Sequence, residues 1–113
     1  MKSKDKALAA AKLALDKKAE GVVILNISKL SSIADYLLIC SGTSDKQVQA
    51  IANSIEEGLK KKGARPLSIE GFREGRWALI DYGDVIAHIF LEPVREFYNL
   101  EGLWAEAPMI AVE

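Results

Sequence analysis

The 113-residue sequence has few of the residue types that hold proteins together through covalent or metal bonds, with one cysteine, one histidine and three prolines. Cys40 has no second cysteine with which to form an internal disulfide, and its place in an apolar run predicts a buried, small hydrophobic side chain. A zinc site of the usual kind needs more His and Cys ligands than these two. We therefore expect no resident metal ion and no cofactor.

Long apolar runs are missing as well. No stretch approaches the roughly 18 uninterrupted apolar residues that a membrane span requires. The N-terminus is rich in lysine and lacks the apolar core of a secretory signal. These absences predict a soluble, cytoplasmic protein with no membrane partner.

Excess charge of either sign is also absent. Fifteen Lys and Arg stand against 16 Asp and Glu, a formal charge of −1, and half of the residues are hydrophobic. Disordered chains combine few apolar residues with a large net charge, and domains that coat nucleic acid are strongly basic, so both classes are excluded. Length and composition predict one domain, residues 1–113, with no sequence-specific nucleic-acid partner.

The small net charge conceals an uneven distribution along the chain. Residues 1–65 carry an excess of basic side chains, whereas residues 66–113 contain three Arg and nine acidic residues, a charge of −6. A partner that contacts the C-terminal half therefore meets an acidic surface.

Two strands and two helices are predicted in the first half of the chain. Ser3 can cap a helix that runs to about Lys18, because a serine hydroxyl satisfies free N–H groups at a helix start. Two apolar runs, Val22–Ile27 and Tyr36–Cys40, predict strands.

The second helix has the clearest signature in the sequence. Ser44 and Gln47 form a capping-box pattern, and Gly63 has the position of a left-handed cap at the helix end. Apolar residues recur between them at helical spacing: Val48, Ile51, Ala52, Ile55 and Leu59.

Three further strands are predicted at about Pro66–Glu70, Trp77–Tyr82 and Val85–Leu91, and Gly83-Asp84 is a two-residue hairpin signal. The turn sets a register in which the two sheet faces differ. One face carries the bulkier residues Trp77, Leu79, Asp81, Ile86, His88 and Phe90, and the other carries Ala78, Ile80, Tyr82, Val85, Ala87 and Ile89.

We assign the face that contains the two alanines to the helices, because small residues leave room for close packing. Val94–Leu103 then predicts a short amphipathic helix or turn. The predicted fold class is α/β, with a single mixed sheet of about five strands and with helices packed mainly on one face.

The sequence offers little that could form a catalytic site. Asp81 and His88 are diagonal neighbours on the bulkier face, but a second histidine, a serine in a nucleophile elbow and a phosphate loop are absent. The turn at residues 41–44 resembles that of the nucleotidyltransferase superfamily, which needs two metal-binding carboxylates on the following strand. Residues 53–57 occupy that interval inside a predicted helix, so the catalytic pair is missing and the similarity indicates at most a shared ancestry of fold.

A set of short motifs, in order along the chain, carries a family resemblance: Ala34-Asp35-Tyr36, Ser41-Gly42-Thr43-Ser44-Asp45, Glu70-Gly71, Gly75-Arg76-Trp77, Asp81-Tyr82-Gly83-Asp84-Val85, His88-Ile89-Phe90, Arg95-Glu96-Phe97-Tyr98, Leu103-Trp104 and Ala107-Pro108. Their order and spacing resemble the ribosomal silencing factor family, also called RsfS-like or Iojap-like proteins. The resemblance extends from about residue 5 to residue 108.

The resemblance implies a non-catalytic translation repressor with a nucleotidyltransferase-like fold that lacks the catalytic residues. It further implies binding to the large ribosomal subunit through its protein fourteen, at the face that joins the small subunit. Blocking that face would reduce translation when nutrients are short. A homodimer is also compatible with the resemblance, with the alanine-rich first helix as one possible contact and an edge strand as an equally available one.

An acidic surface with an aromatic anchor would suit a basic ribosomal protein, because charge steers association and buried aromatics dominate interface energy. The expected contact residues are Glu70, Trp77, Asp81, Tyr82, Asp84 and Tyr98. Whether Trp77 and Trp104 belong to the interface or to the core stays open from sequence. Two alternative functions are a residual nucleotidyltransferase or hydrolase and an adaptor that does not block subunit joining.

Overall fold

The computed structural model describes residues 1–112 as four helices and six strands. The elements follow in the order α1 (Ser3–Leu15), β1 (Glu20–Asn26), β2 (Tyr36–Gly42), α2 (Asp45–Lys61), β3 (Ser68–Glu70), β4 (Trp77–Asp81), β5 (Val85–Leu91), α3 (Glu92–Tyr98), α4 (Leu100–Leu103) and β6 (Met109–Ile110).

All six strands belong to one sheet with the order β3-β4-β5-β2-β1-β6. The central β2 and β5 are parallel, and the other neighbours are antiparallel. The mixed α/β sheet is confirmed, with one strand more than the five expected. The additional strand β6 pairs Met109 with Leu25 and Ile110 with Ile24, and two residues are too few to show a strand periodicity.

Helix α2 forms where its capping and periodicity predicted it. The Ser44 hydroxyl accepts the Gln47 N–H at 3.1 Å, and all five residues of the predicted apolar stripe are buried. The Gln47 side chain also donates to the carbonyls of Lys17 and Lys18 at 3.2 and 3.1 Å. The start of α2 is thereby tied to the end of α1. Gly63 has φ +88°, as expected of a left-handed cap.

Helix α1 differs from its prediction at both ends. Ser3 is the first helical residue, and its hydroxyl lies 3.0 Å from a carboxylate oxygen of Asp84 and 3.1 Å from one of Asp35, so it does not act as the predicted cap. The helix ends at Leu15, because Lys18 turns the chain with φ +62°.

The alanines of α1 are part of the core. Ala7, Ala10, Ala11 and Ala14 are fully buried, and the Ser54 hydroxyl of α2 donates to the Leu13 carbonyl at 2.9 Å. Such small side chains allow α1 to approach α2 and the sheet closely. The alanine face is therefore not available as the dimer contact suggested by the sequence.

The β4–β5 hairpin has the predicted register. Trp77 pairs with Phe90 and Asp81 pairs with Ile86, and the turn residue Gly83 has φ +88°. The face that contains Ala78 and Ala87 packs against α1 and α2 in the larger hydrophobic core, as predicted.

A second, smaller core lies on the opposite face of the sheet. Leu25, Ile27, Leu37, Ile39 and Phe90 pack there against Val94 and Ala107, with Trp104 partly buried beside them. The helix predicted over Val94–Leu103 is instead two short helices, because Asn99 breaks the chain with φ +45°. This segment covers the β1, β2 and β5 side of the sheet.

Substitution of Gly71 tests how closely the β3–β4 turn approaches β4. Gly71 has φ +74°, and an added Cβ would collide with the Trp77 carbonyl oxygen. Gly71→Ala should therefore lower the free energy of unfolding by about 3 kcal/mol, measured by urea denaturation. Gly63→Ala is the matched control: it has a positive φ with no described atom within 4 Å, and should cost about 1 kcal/mol. Equal losses would contradict the close approach.

Candidate functional site

The side of the sheet built by β3 and β4 presents a half-exposed surface on the face opposite α1 and α2. Strand pairing places Glu70 beside Leu79, and Asp81 beside Ile86. With Trp77 these side chains form what we call the open face: Glu70, Trp77, Leu79, Asp81 and Ile86. Glu70 is exposed and the other four are partly exposed. The open face therefore combines apolar surface with two carboxylates.

Trp77 lies at the boundary between the open face and the second core. Its indole N–H donates to Nδ1 of His88 at 3.0 Å, and its ring centre lies 4.7 Å from that of Phe90 and 5.0 Å from that of Tyr98. The ring is held by packing on one side and remains partly exposed. Trp77 is therefore partly a core residue, and its role in an interface stays a prediction that its exposed part allows. Partly buried Trp104 packs against the second core.

His88 and Asp81 do not form an acid–base pair. His88 is 7% exposed, and burial lowers its pKa to about 4, so its ring is neutral at pH 7. Asp81 instead accepts the backbone N–H of Gly83 at 2.7 Å within the hairpin turn. His88 accepts a hydrogen bond from Trp77, and Asp81 accepts one within the hairpin turn.

The C-terminal end of α3 extends the aromatic surface beyond Trp77. Tyr98 is 55% exposed and Phe97 is 80% exposed, with their ring centres 5.0 Å apart. Arg76 and Pro93 line a shallow groove beside them. Sequence reasoning missed Phe97, Leu79 and Ile86 as candidate contact residues. Phe97 stands next to Tyr98 in the Arg-Glu-Phe-Tyr motif, and the hairpin register already placed the other two on this face.

Tyr82 is not on the open face, so its predicted role in docking is wrong. Its side chain is 6% exposed and packs in the core beneath α1 and α2. Burial first, and then the negative charge of Glu56, raise its pKa to about 12. Within residues 1–112 its hydroxyl has no hydrogen-bond partner, and the Lys6 ammonium lies 5.8 Å from the ring centre.

Asp84 also lies away from the open face, at the joint between α1, β2 and the hairpin. Its carboxylate accepts from Lys6 Nζ at 2.9 Å and lies beside the Ser3 hydroxyl. Its backbone carbonyl accepts from the N–H groups of Asp35 and Tyr36 at 2.8 and 3.2 Å. The structure therefore gives Asp84 an internal role and brings only Glu70, Trp77, Asp81 and Tyr98 together.

Arg95 contacts Ser41, the first residue of the turn that resembles a nucleotidyltransferase. One guanidinium nitrogen lies 3.3 Å from the Ser41 hydroxyl, and the other donates to the Gly21 carbonyl and pairs with Glu101, each at 2.8 Å. Among residues 1–112 no group of three His, Cys, Asp or Glu side chains could hold a metal ion. Burial raises the pKa of nearby Cys40 to about 12, although the charge of Arg95 opposes this effect.

Within residues 1–112, every helix is too short or too polar to cross a membrane. The open face and its aromatic extension form an accessible surface that brings aromatic rings and carboxylates together. An α/β domain with an aromatic surface flanked by carboxylates has the characteristics of a protein-binding module.

Comparison with known proteins identifies the kind of module. A family model described as "Ribosomal silencing factor during starvation" matches residues 1–113. Ribosomal silencing factor RsfS of Halalkalibacterium halodurans is 49% identical over 98 residues, which cover 87% of this chain and 84% of that protein. RsfS of Bacillus subtilis is 49% identical over 94 residues, covering 83% and 80%.

A solved structure agrees with the sequence comparison. The crystal structure of a Chromobacterium violaceum protein matches with a TM-score of 0.91 at 35% identity, covering all of this chain and 95% of that one. The chain therefore belongs to the ribosomal silencing factor family, which confirms the resemblance seen in its motifs. The relatives from Halalkalibacterium halodurans and Bacillus subtilis are both named as ribosomal silencing factors.

The contacts of Asp84 predict a pH-dependent loss of stability. Burial by itself raises the pKa of Asp84, but the hydrogen bonds from Lys6 and Ser3 and the charge of Lys6 outweigh it and hold the pKa below its ordinary 3.8. A lowered pKa stabilises the folded state above the ordinary value, and this contribution disappears as the pH falls through the lowered one. Asp84→Asn should therefore lower the free energy of unfolding by about 1 kcal/mol at pH 7.

The difference between Asp84→Asn and the unmodified protein should shrink in urea titrations carried out below pH 3.8. Glu57→Gln, at an exposed position in α2, makes the same change of charge and should alter stability by no more than about 0.5 kcal/mol. A difference that stays constant at acid pH would contradict the assigned contacts.

Proposed function

We propose that the protein is a translation repressor that binds the large ribosomal subunit through ribosomal protein fourteen, at the face that meets the small subunit. Occupation of that face prevents subunit joining and reduces translation under nutrient limitation. Membership of the silencing factor family supports a role at the ribosome. The observation that carries the docking site is the partly exposed Trp77, flanked on the open face by carboxylates.

The packing of Trp77 suits it to be an interface anchor. Contacts with Phe90 and Tyr98 hold the indole in place before a partner arrives. An anchor that is already ordered loses less conformational entropy on binding, so more of its contact energy contributes to affinity. Its exposed surface continues into Phe97 and Tyr98, which enlarges the apolar centre of the contact.

The charges around the anchor favour a basic partner. Glu70 and Asp81 lie on the open face, in a C-terminal half that carries a charge of −6. Ribosomal proteins are generally basic because they contact RNA, so these carboxylates would accelerate encounter and orient the complex. The face is therefore matched in charge to a ribosomal protein rather than to RNA phosphate.

Replacement of the anchor tests the docking site and the mechanism together. Trp77→Ala should weaken co-sedimentation with large subunits by about 2 kcal/mol, roughly thirtyfold, as expected of a central aromatic contact. In light-scattering assays of mixed subunits the unmodified protein should suppress joining and the variant should not. Tyr82→Phe, which changes only a buried hydroxyl on the opposite face, should behave like the unmodified protein.

Two outcomes would overturn the proposal. If a folded Trp77→Ala variant binds with unchanged affinity, the open face is not the docking site. If the unmodified protein binds large subunits while subunit joining proceeds normally, the protein is an adaptor rather than a repressor.

Salt and charge substitutions test the electrostatic contribution. The association rate, measured by stopped flow, should fall as ionic strength rises, because the screening length shortens to about 10 Å at 0.1 M. The double variant Glu70→Gln/Asp81→Asn should associate more slowly at low salt and depend less on salt. Glu106→Gln is the control, at an exposed position beside Leu30 in the β1–β2 connection. A rate independent of salt would contradict acidic steering.

A further inference from the structure

His88 is a buried polar side chain, and packing in the core does not by itself explain why a polar residue stands at this position. It lies in β5, where its backbone pairs with Leu79 of β4 and Ile39 of β2. The ring is 7% exposed and lies nearly parallel to that of Phe90, with the centres 6.1 Å apart and an interplanar angle of 13°. Its Nδ1 atom faces the indole N–H of Trp77 at 3.0 Å.

This hydrogen bond requires a neutral histidine in one particular tautomer. An indole nitrogen can only donate a hydrogen bond, so Nδ1 must be an acceptor and the ring proton must reside on Nε2. A protonated histidine would present N–H groups at both nitrogens and would lose this bond. Because burial lowers the pKa of His88 to about 4, the ring keeps the accepting form well below neutral pH.

Burial is what favours the neutral form of His88, and the charged groups on the neighbouring elements are few. On β4 the nearest carboxylate along the open face is Asp81, which already accepts from Gly83, and β3 contributes the exposed Glu70 beyond Leu79. Strand β2 contributes the apolar Ile39. From α3, Tyr98 packs against Trp77, the hydrogen-bond partner of His88, and Arg95 is bound at Ser41.

The geometry points to His88 as a positioning residue for ribosome docking: its neutral ring holds the indole of Trp77 in the orientation in which the open face binds its partner. This inference rests on the proposed function, because it assigns a role in presenting the proposed anchor. His88 contacts the partner only through Trp77. The hydrogen bond adds direction to an anchor that aromatic packing alone would hold less specifically.

Two substitutions separate the acceptor from the volume of the side chain. In His88→Asn the amide oxygen can lie close to the position of Nδ1 and accept the indole N–H. The amide group does not titrate. In His88→Leu a side chain of comparable reach has no acceptor. We expect His88→Leu to bind large subunits about fivefold more weakly, the effect of one hydrogen bond, and His88→Asn to stay within about twofold of the unmodified protein.

A double-mutant cycle distinguishes positioning from a general loss of structure. Trp77→Phe keeps an aromatic ring and removes the N–H donor, so in that background His88→Leu and His88→Asn should bind equally well. If His88→Leu costs the same fivefold with Phe at position 77, the effect does not pass through the hydrogen bond and the inference is wrong.

The protonation state of His88 can be read in the free protein, without ribosomes. Since the chain has one histidine, a long-range ¹H–¹⁵N spectrum reports it alone, and should show an unprotonated Nδ1 and a protonated Nε2 from pH 8 to pH 5.5. Docking affinity should be flat over the same range. Titration near the ordinary value of 6.5, or the opposite tautomer, would overturn the inference.

These measurements distinguish a failure of the proposed docking site from a failure of the proposed role of His88. If Trp77→Ala has no effect on binding, the docking site itself is wrong, whatever the spectrum shows. If Trp77→Ala weakens binding but His88→Leu and His88→Asn both bind like the unmodified protein, the docking site stands and the role of His88 is wrong.

Discussion

The register of the β4–β5 hairpin is the constraint on which the rest of the structure depends. The turn at Gly83 places small residues, Ala78 and Ala87, towards the helices and places Trp77 and His88 on the opposite face. A shift by one residue would exchange the two sets, because strand side chains alternate between faces. Close packing of α1 and exposure of an aromatic anchor therefore follow from the same pairing.

The second face of the sheet is covered unequally, and this leaves a surface for binding. The segment from α3 to β6 packs over β1, β2 and β5, where it builds the smaller core. Beyond its edge, β3 and β4 keep their side chains partly exposed. Trp77 lies at this boundary, so it contributes to the core through Phe90 and to the surface through its free edge. One side chain therefore belongs both to the second core and to the open face.

Local signals in the sequence predicted α2 and the hairpin correctly, because capping, periodicity and turn geometry depend on near neighbours. Long-range contacts were not predictable in the same way. Ser3 appeared to be a cap, but carboxylates more than 30 residues away engage its hydroxyl. Asp84 is an expected contact residue because of its negative charge and its nearness to Trp77 in the sequence. Tyr82 is expected beside it, although the hairpin register already places Tyr82 on the helix side. The half-buried state of Trp77 depends on Tyr98, which only the fold brings beside it.

Arg95 links two distant parts of the molecule. Its guanidinium bridges Ser41, Gly21 and Glu101, so it contacts the first residue of the turn that resembles an enzyme site and anchors the segment that carries Tyr98. A substitution of Arg95 would therefore remove contacts to β1, to β2 and within the C-terminal segment at the same time. The attachment of α3 and the position of the aromatic surface beside Trp77 depend in this way on a side chain that lies outside that surface.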